Sequence, residues 1–127
     1  MKKFIALSLA LLVTMTLSAQ QTKTKYCAIW GTSTTDILGR AYIDYGQGST
    51  TNNWFVDETG RAIRYTSIIE VLNYLSDYGW KLDTSHTLLS NDVGSRRALI
   101  LVKEINSTDD ITEGIYTREM FLKQSQE

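Results

Sequence analysis

Ser67-Ile68-Ile69-Glu70-Val71-Leu72-Asn73-Tyr74-Leu75-Ser76-Asp77-Tyr78-Gly79-Trp80 is the stretch on which the fold turns. Ile68, Val71, Leu72 and Leu75 fall at i, i+3, i+4 and i+7, a spacing that gathers apolar side chains on one helical face. Ser67 with Glu70 three positions on has the form of a capping box, in which each side chain takes a free backbone N–H at the helix start. Gly79 stands where a left-handed C-terminal cap is wanted. The pattern predicts a helix over 67–78, with Trp80 dropping into the core beneath it. Burying four aliphatic side chains contributes on the order of 6–12 kcal/mol before entropy is subtracted, enough to dock such a helix on a sheet.

Downstream, Trp80-Lys81-Leu82-Asp83 alternates and begins a strand reaching to about Leu89. A polar loop over 90–95 leads into a return strand from Arg97 to Ile105. Its run Ala98-Leu99-Ile100-Leu101-Val102 is apolar on both faces, which predicts a place inside the sheet, covered from two sides. Upstream, residues 25–31 read as a first strand and Ser33–Asp36 as a turn. Residues 37–45 alternate, with Ile37, Gly39, Ala41, Ile43 and Tyr45 on one side and Leu38, Arg40, Tyr42 and Asp44 on the other. After a Gly/Ser/Thr/Asn loop over 46–53, Trp54-Phe55-Val56 and Arg61-Ala62-Ile63-Arg64 read as a hairpin about Asp57-Glu58-Thr59-Gly60. The order β-β-(β-β)-α-β-β predicts an α+β fold, an antiparallel sheet of about five to six strands with one main helix packed on one face.

Met1-Lys2-Lys3, the uncharged run Phe4–Leu17 and the small pair Ser18-Ala19 have the layout of a cleavable export signal, cut after Ala19. The apolar run is short for a membrane span, which takes about 20 residues. The expected organisation is a signal peptide over 1–19, one domain over 20–105 and a C-terminal tail over 106–127, in an exported protein, periplasmic or secreted, with no transmembrane span after cleavage. Three outcomes stay open for the tail: fraying, a short helix from about Thr117, or docking on a neighbour. A lipid anchor would need a cysteine directly after the apolar run, and Cys27 follows a charged spacer instead. With Lys2 and Lys3 removed, 13 basic against 14 acidic residues becomes 11 against 14, a net charge of −3 that argues against nucleic acid. A single cysteine cannot form an internal disulfide; Cys27, set among Tyr26, Ala28 and Ile29, reads as a buried thiol, with intermolecular pairing as the alternative.

Val71-Leu72-Asn73-Tyr74-Leu75 followed by Gly79-Trp80-Lys81-Leu82 and a hairpin closing on Leu99-Ile100-Leu101-Val102-Lys103 resembles small exported bacterial domains of unknown function. Those domains carry a helix with Leu-Asn-x-Leu, then Gly-Trp, then a strand pair. The match covers 67–103 well and the first two strands loosely, where Tyr26-Cys27 and Asp44-Tyr45-Gly46 carry it. The resemblance implies a fold and no activity.

No catalytic, cofactor or metal motif is present in the sequence. His86 is the only histidine; Asp83 three residues before it would point to the opposite face of a regular strand, and one histidine is a poor zinc site. Ser85-His86 has no orienting acid or oxyanion hole in its motif. The pairs Asp57-Glu58 and Asp109-Asp110 fall in polar turns, where solvated carboxylates are the ordinary outcome. Trp54 and Phe55 cannot both point inward from one strand, which makes them the candidate interaction surface. The leading expectation is a non-enzymatic exported module that binds a protein or envelope component there or at an open sheet edge, with a homodimer as one use of that edge. The rivals are a small extracytoplasmic hydrolase-like enzyme using Asp44, Asp57 or His86, and a structural subunit of an envelope complex.

Overall fold

The computed structural model describes residues 21–31, 39–90 and 96–127, and within these the side chains of all but 84–90, 96 and 97. The expected leader over 1–19, the expected turn over Ser33–Asp36, Ile37, Leu38 and most of the expected loop over 90–95 lie outside the described residues. No helix among them is long and apolar enough to cross a membrane.

The fold is α+β. Strands β1 (Lys23–Gly31), β2 (Ala41–Asp44), β3 (Lys81–Ser90) and β4 (Arg96–Ile105) form one antiparallel sheet in the order β2-β1-β4-β3. Helices α1 (Ile68–Ser76) and α2 (Arg118–Ser125) and a 3-10 turn at Thr108–Ile111 complete the described elements. The all-apolar run of β4 lies inside the sheet as its composition predicts, but among the described residues only one of its faces is covered, because α1 and the core lie on the Leu101 side. β4 is a central strand, with β1 paired from Lys23↔Ile105 to Ile29↔Leu99 on one side and β3 on the other.

Four strands form among the described residues rather than five or six. The expected hairpin at 54–56 and 61–64 is held by single bridges, Val56↔Ala62 within it, Tyr42↔Trp54 to β2 and Phe55↔Thr117 to the C-terminal segment. Its backbone donors go to different neighbours: Phe55 N–H to Ala41 O (3.0 Å), Val56 N–H to Tyr116 O (3.1 Å) and Ile63 N–H to Phe55 O (3.1 Å). Strand-forming side chains are there, but the hydrogen bonds are divided, so no ladder propagates.

The core lies on one face of the sheet. Cys27 and Ile29 of β1, Ala41 and Ile43 of β2, and Leu101 of β4 meet Val71 and Leu75 of α1, with Phe55, Tyr65, Trp80 and Ile115 closing the cluster. Val71 and Leu75 are fully buried, while Ile68 and Leu72 of the same stripe pack more loosely at its margin. Gly79 adopts φ +91°, and the helix closes by Gly79 N–H to Ser76 O (3.1 Å) and Trp80 N–H to Leu75 O (3.2 Å). These paired bonds satisfy two orphan carbonyls of the last turn and aim the chain inward at Trp80.

The start of α1 departs from the expected capping box. Ser67 is the N-cap in extended conformation, but its side chain makes no capping bond. Glu70 reaches one residue further back, its carboxylate accepting Thr66 N–H at 3.0 Å and the Thr66 hydroxyl at 2.7 Å. Those bonds hold the Glu70 carboxyl below the usual range. Ser67→Ala is accordingly expected to stay within about 0.5 kcal/mol of the parent in chemical denaturation, the range of a neutral surface change. Glu70→Ala is expected to lower the midpoint by more, and a larger loss at Ser67 than at Glu70 would contradict this arrangement.

Residues 106–127 pack against the same body. Ile115 (5% exposed) and Thr117 (2%) are buried, and Thr117 caps α2 by accepting Met120 N–H. Lys103, buried on β4, donates from Nζ to Asp110 O at 2.7 Å and lies over the Trp80 ring at 5.8 Å, fastening the 3-10 turn to the sheet.

Candidate functional site: an aromatic row on the open face

Residues that alternate with the core positions line the other face of the sheet. Cross-strand partners share a face, so the register groups Trp30 with Tyr42, Ala28 with Asp44 and Ile100, and Tyr26 with Val102. Among the described residues no helix or strand packs on this face. Trp30, Tyr42, Ile100 and Val102 are half-buried, and Tyr26 is 57% exposed.

The bridge Tyr42↔Trp54 extends the row by one member. Trp30 and Tyr42 lie with ring centroids 5.9 Å apart and planes within 8° of parallel. Trp54 stands edge-on to Tyr42 at 6.2 Å, and the Arg40 guanidinium carbon sits 4.4 Å from its ring centroid. Aromatic pairs of this kind contribute about 0.5–1.5 kcal/mol beyond area, and an exposed cation–π contact about 0.5–1 kcal/mol. These contacts hold large, stiff side chains in place at a wet surface.

The two residues singled out in sequence separate here. Trp54 joins the row, whereas Phe55 is 2% exposed, packed edge-on to Tyr65 at 6.3 Å in the core. Phe55 is therefore corrected from surface to core, because strand alternation sends only one of two neighbours outward. Tyr42 lies on the face that alternation shares with Arg40 and Asp44, whereas Trp30 carries no such mark in the sequence. Nothing in the local pattern around Trp30 tells which face of β1 the helix covers.

The charged candidates serve the backbone. Asp44 Oδ1 accepts Gly46 N–H at 2.9 Å. Asp57 Oδ1 accepts Thr59 N–H, the Thr59 hydroxyl and Arg61 N–H at 2.9, 2.6 and 3.0 Å, and these bonds hold its carboxyl below the usual range. Asp110 takes Asn106 N–H and Ser107 N–H, both at 2.9 Å, which lowers it in the same way and completes a capping box with Ser107. The side chain of His86 lies outside the described residues. Its backbone falls in an irregularity of β3, where Leu82↔Leu101 is followed by Thr87↔Leu99, so the regular two-residue alternation assumed for Asp83 and His86 does not run through that segment. Among the described residues no three His, Cys, Asp or Glu side chains come together as a metal site. A hollow of about 280 Å³ is lined by Gly79, Lys81, Val102, Lys103 and Glu104. Two of its polar groups are already engaged, Lys103 with Asp110 and Glu104 with the Thr24 hydroxyl.

Cys27 is a free, buried thiol. Burial, with a smaller push from the Asp44 charge, raises it to about 12 against an exposed cysteine near 8.5. The thiolate that reacts is therefore scarce at neutral pH. Native protein at pH 8 is expected to resist a thiol reagent for hours and to label within minutes once unfolded in urea. Rapid labelling of the native chain would contradict the placement of Cys27. The chain matches no protein-family model, no curated protein and no solved structure.

Proposed function

We propose that this protein is an exported, non-enzymatic binding module, of the kind its helix–Gly-Trp–hairpin signature resembles. Its contact surface is the row Trp30, Tyr42 and Trp54 with Arg40 at one end. The observation that carries this reading is the row itself. Three large aromatic side chains stand side by side on a sheet face that no described element covers. Tryptophan, tyrosine and arginine are the residues that dominate binding energy at protein interfaces, the two aromatics because they combine wide apolar area with a polar tip and few rotamers. The proposed partner is a protein or another component of the cell envelope, met after the leader over 1–19 has been removed.

The test pairs binding with folding. Mature protein immobilised through its C-terminus is exposed to envelope extract beside Trp54→Ala and Arg40→Ala variants. A partner retained by the parent and lost by about tenfold or more in either variant, with unfolding midpoints unchanged, supports the surface; that loss is about 1.4 kcal/mol or more, within reach of one anchor residue. Equal retention by parent and variants places the contact elsewhere.

A further inference from the structure

The last segment of the chain occupies a strand edge in a way that a second copy could reproduce. The stretch 52–56 is bonded on one side to β2, through Ile43 N–H to Asn53 O and Phe55 N–H to Ala41 O. On its other side, among the described residues, it is paired by the C-terminal segment. Val56 N–H donates to Tyr116 O at 3.1 Å, Arg118 N–H to Trp54 O at 3.0 Å and Glu119 N–H to Asn52 O at 2.9 Å, with Phe55↔Thr117 as the directly opposed pair. This is strand addition within one molecule. The side chains follow strand alternation, Ile115 and Thr117 inward and Tyr116 outward. Helix α2, which follows, buries no residue fully. It is held at its start by the Arg118 guanidinium donating to Gly60 O at 2.9 Å. The Phe121 ring also lies so close to Gly60 that a Cβ there would stand 2.5 Å from it.

We propose that this C-terminal segment is exchangeable between two copies of the chain, so that Ile115–Glu119 of one copy pairs along Asn52–Val56 of the other. The occupant is set by what is already seated: a second copy carries the same inward isoleucine and threonine and the same main-chain donors and acceptors. The connector allows it. Within residues 106–113, Asp110 O accepts from Lys103 and Ile111 packs at the core margin, two contacts that exchange must release; the other six are polar and exposed, and fully extended the stretch would span about 26–29 Å. The 3-10 turn inside the connector is capped by its own Ser107 and Asp110. Exchange trades identical contacts, so its cost is confined to the link and to the entropy of association. The proposal concerns a strand edge and is independent of the aromatic face.

The experiment uses the full mature chain. Isotope-labelled and unlabelled protein are mixed, unfolded together, refolded at high and at low concentration, and sized by light scattering. Exchange predicts a species of about twice the monomer mass, favoured by refolding at high concentration and slow to revert on dilution. In that species an isotope-filtered NOE should join Phe55 Hα of one copy to Thr117 Hα of the other, since directly opposed residues of this kind have Cα atoms about 4.5 Å apart. A chain monomeric after every refolding, or a dimer without that cross-copy contact, overturns the proposal. Trp54→Ala, which leaves the edge intact, should form the same species even where it abolishes partner capture.

Discussion

Leu75→Asp is expected to abolish the folded state. Leu75 is fully buried where α1 meets the sheet, in one cluster with Ile29, Ile43, Leu101 and Trp80. Removing its side chain alone, as in Leu75→Ala, is expected to cost about 2–5 kcal/mol through lost transfer energy and the cavity left behind. An aspartate adds an unpaired charge in the same place. Mutations of that kind exceed about 4–5 kcal/mol, against a typical whole-domain stability of about 5–15 kcal/mol. The far-ultraviolet circular dichroism melt should lose its cooperative transition and the amide spectrum its dispersion. Leu72→Asp, at the half-exposed margin of the same helix, should be distinctly milder. A soluble Leu75→Asp protein with a cooperative melt would remove the docking of α1 on the sheet.

Trp80 gives the second large effect, and a contrast that isolates its cause. The side chain is 1% exposed and is among the largest buried in the molecule, and its indole N–H has no hydrogen-bond partner. Trp80→Ala should cost about 3–5 kcal/mol, the usual range for an aromatic core residue. Trp80→Phe removes less volume and also deletes a buried donor whose desolvation is uncompensated, a penalty of about 1–3 kcal/mol. Its net change should therefore fall well below that of Trp80→Ala when urea midpoints are compared. Equal losses in the two variants would show that the indole N–H is satisfied after all.

What could be read from the letters is what depends on near neighbours in sequence. The stripe Ile68, Val71, Leu72 and Leu75, the left-handed Gly79, the inward Trp80 and the central position of β4 all declare themselves within a few residues, and each is found as expected, whereas cover on the second face of β4 is not found among the described residues. Misreadings arose where pairing partners lie far apart. Trp54-Phe55-Val56 has strand-forming residues and closes a hairpin about Asp57–Gly60 through Val56↔Ala62, yet its outer edge is met by Tyr116–Glu119, about sixty residues later, so the arms stay at single bridges and add no strand to the sheet. Ser67 and Glu70 match the capping-box spacing, but Thr66 offers both a backbone and a hydroxyl donor, and Glu70 takes those. Alternation required Trp54 and Phe55 to part company without saying which would turn outward. That choice belongs to β2, whose Tyr42 lies opposite Trp54 on the face away from α1. The row Trp30–Tyr42–Trp54 was hidden for the same reason, since its members are 12 positions apart and meet only when three segments lie side by side.

The pairing of β1 with β4, Lys23 opposite Ile105, bears on how a newly made chain behaves. During synthesis or threading from the N-terminus, the first strand waits for the fourth, with most of the polypeptide still between them. Contacts that distant close slowly, so Cys27 and Ile29 remain uncovered through most of the chain's emergence. Over that interval the nascent polypeptide has no central strand pair to close around and stays loosely organised.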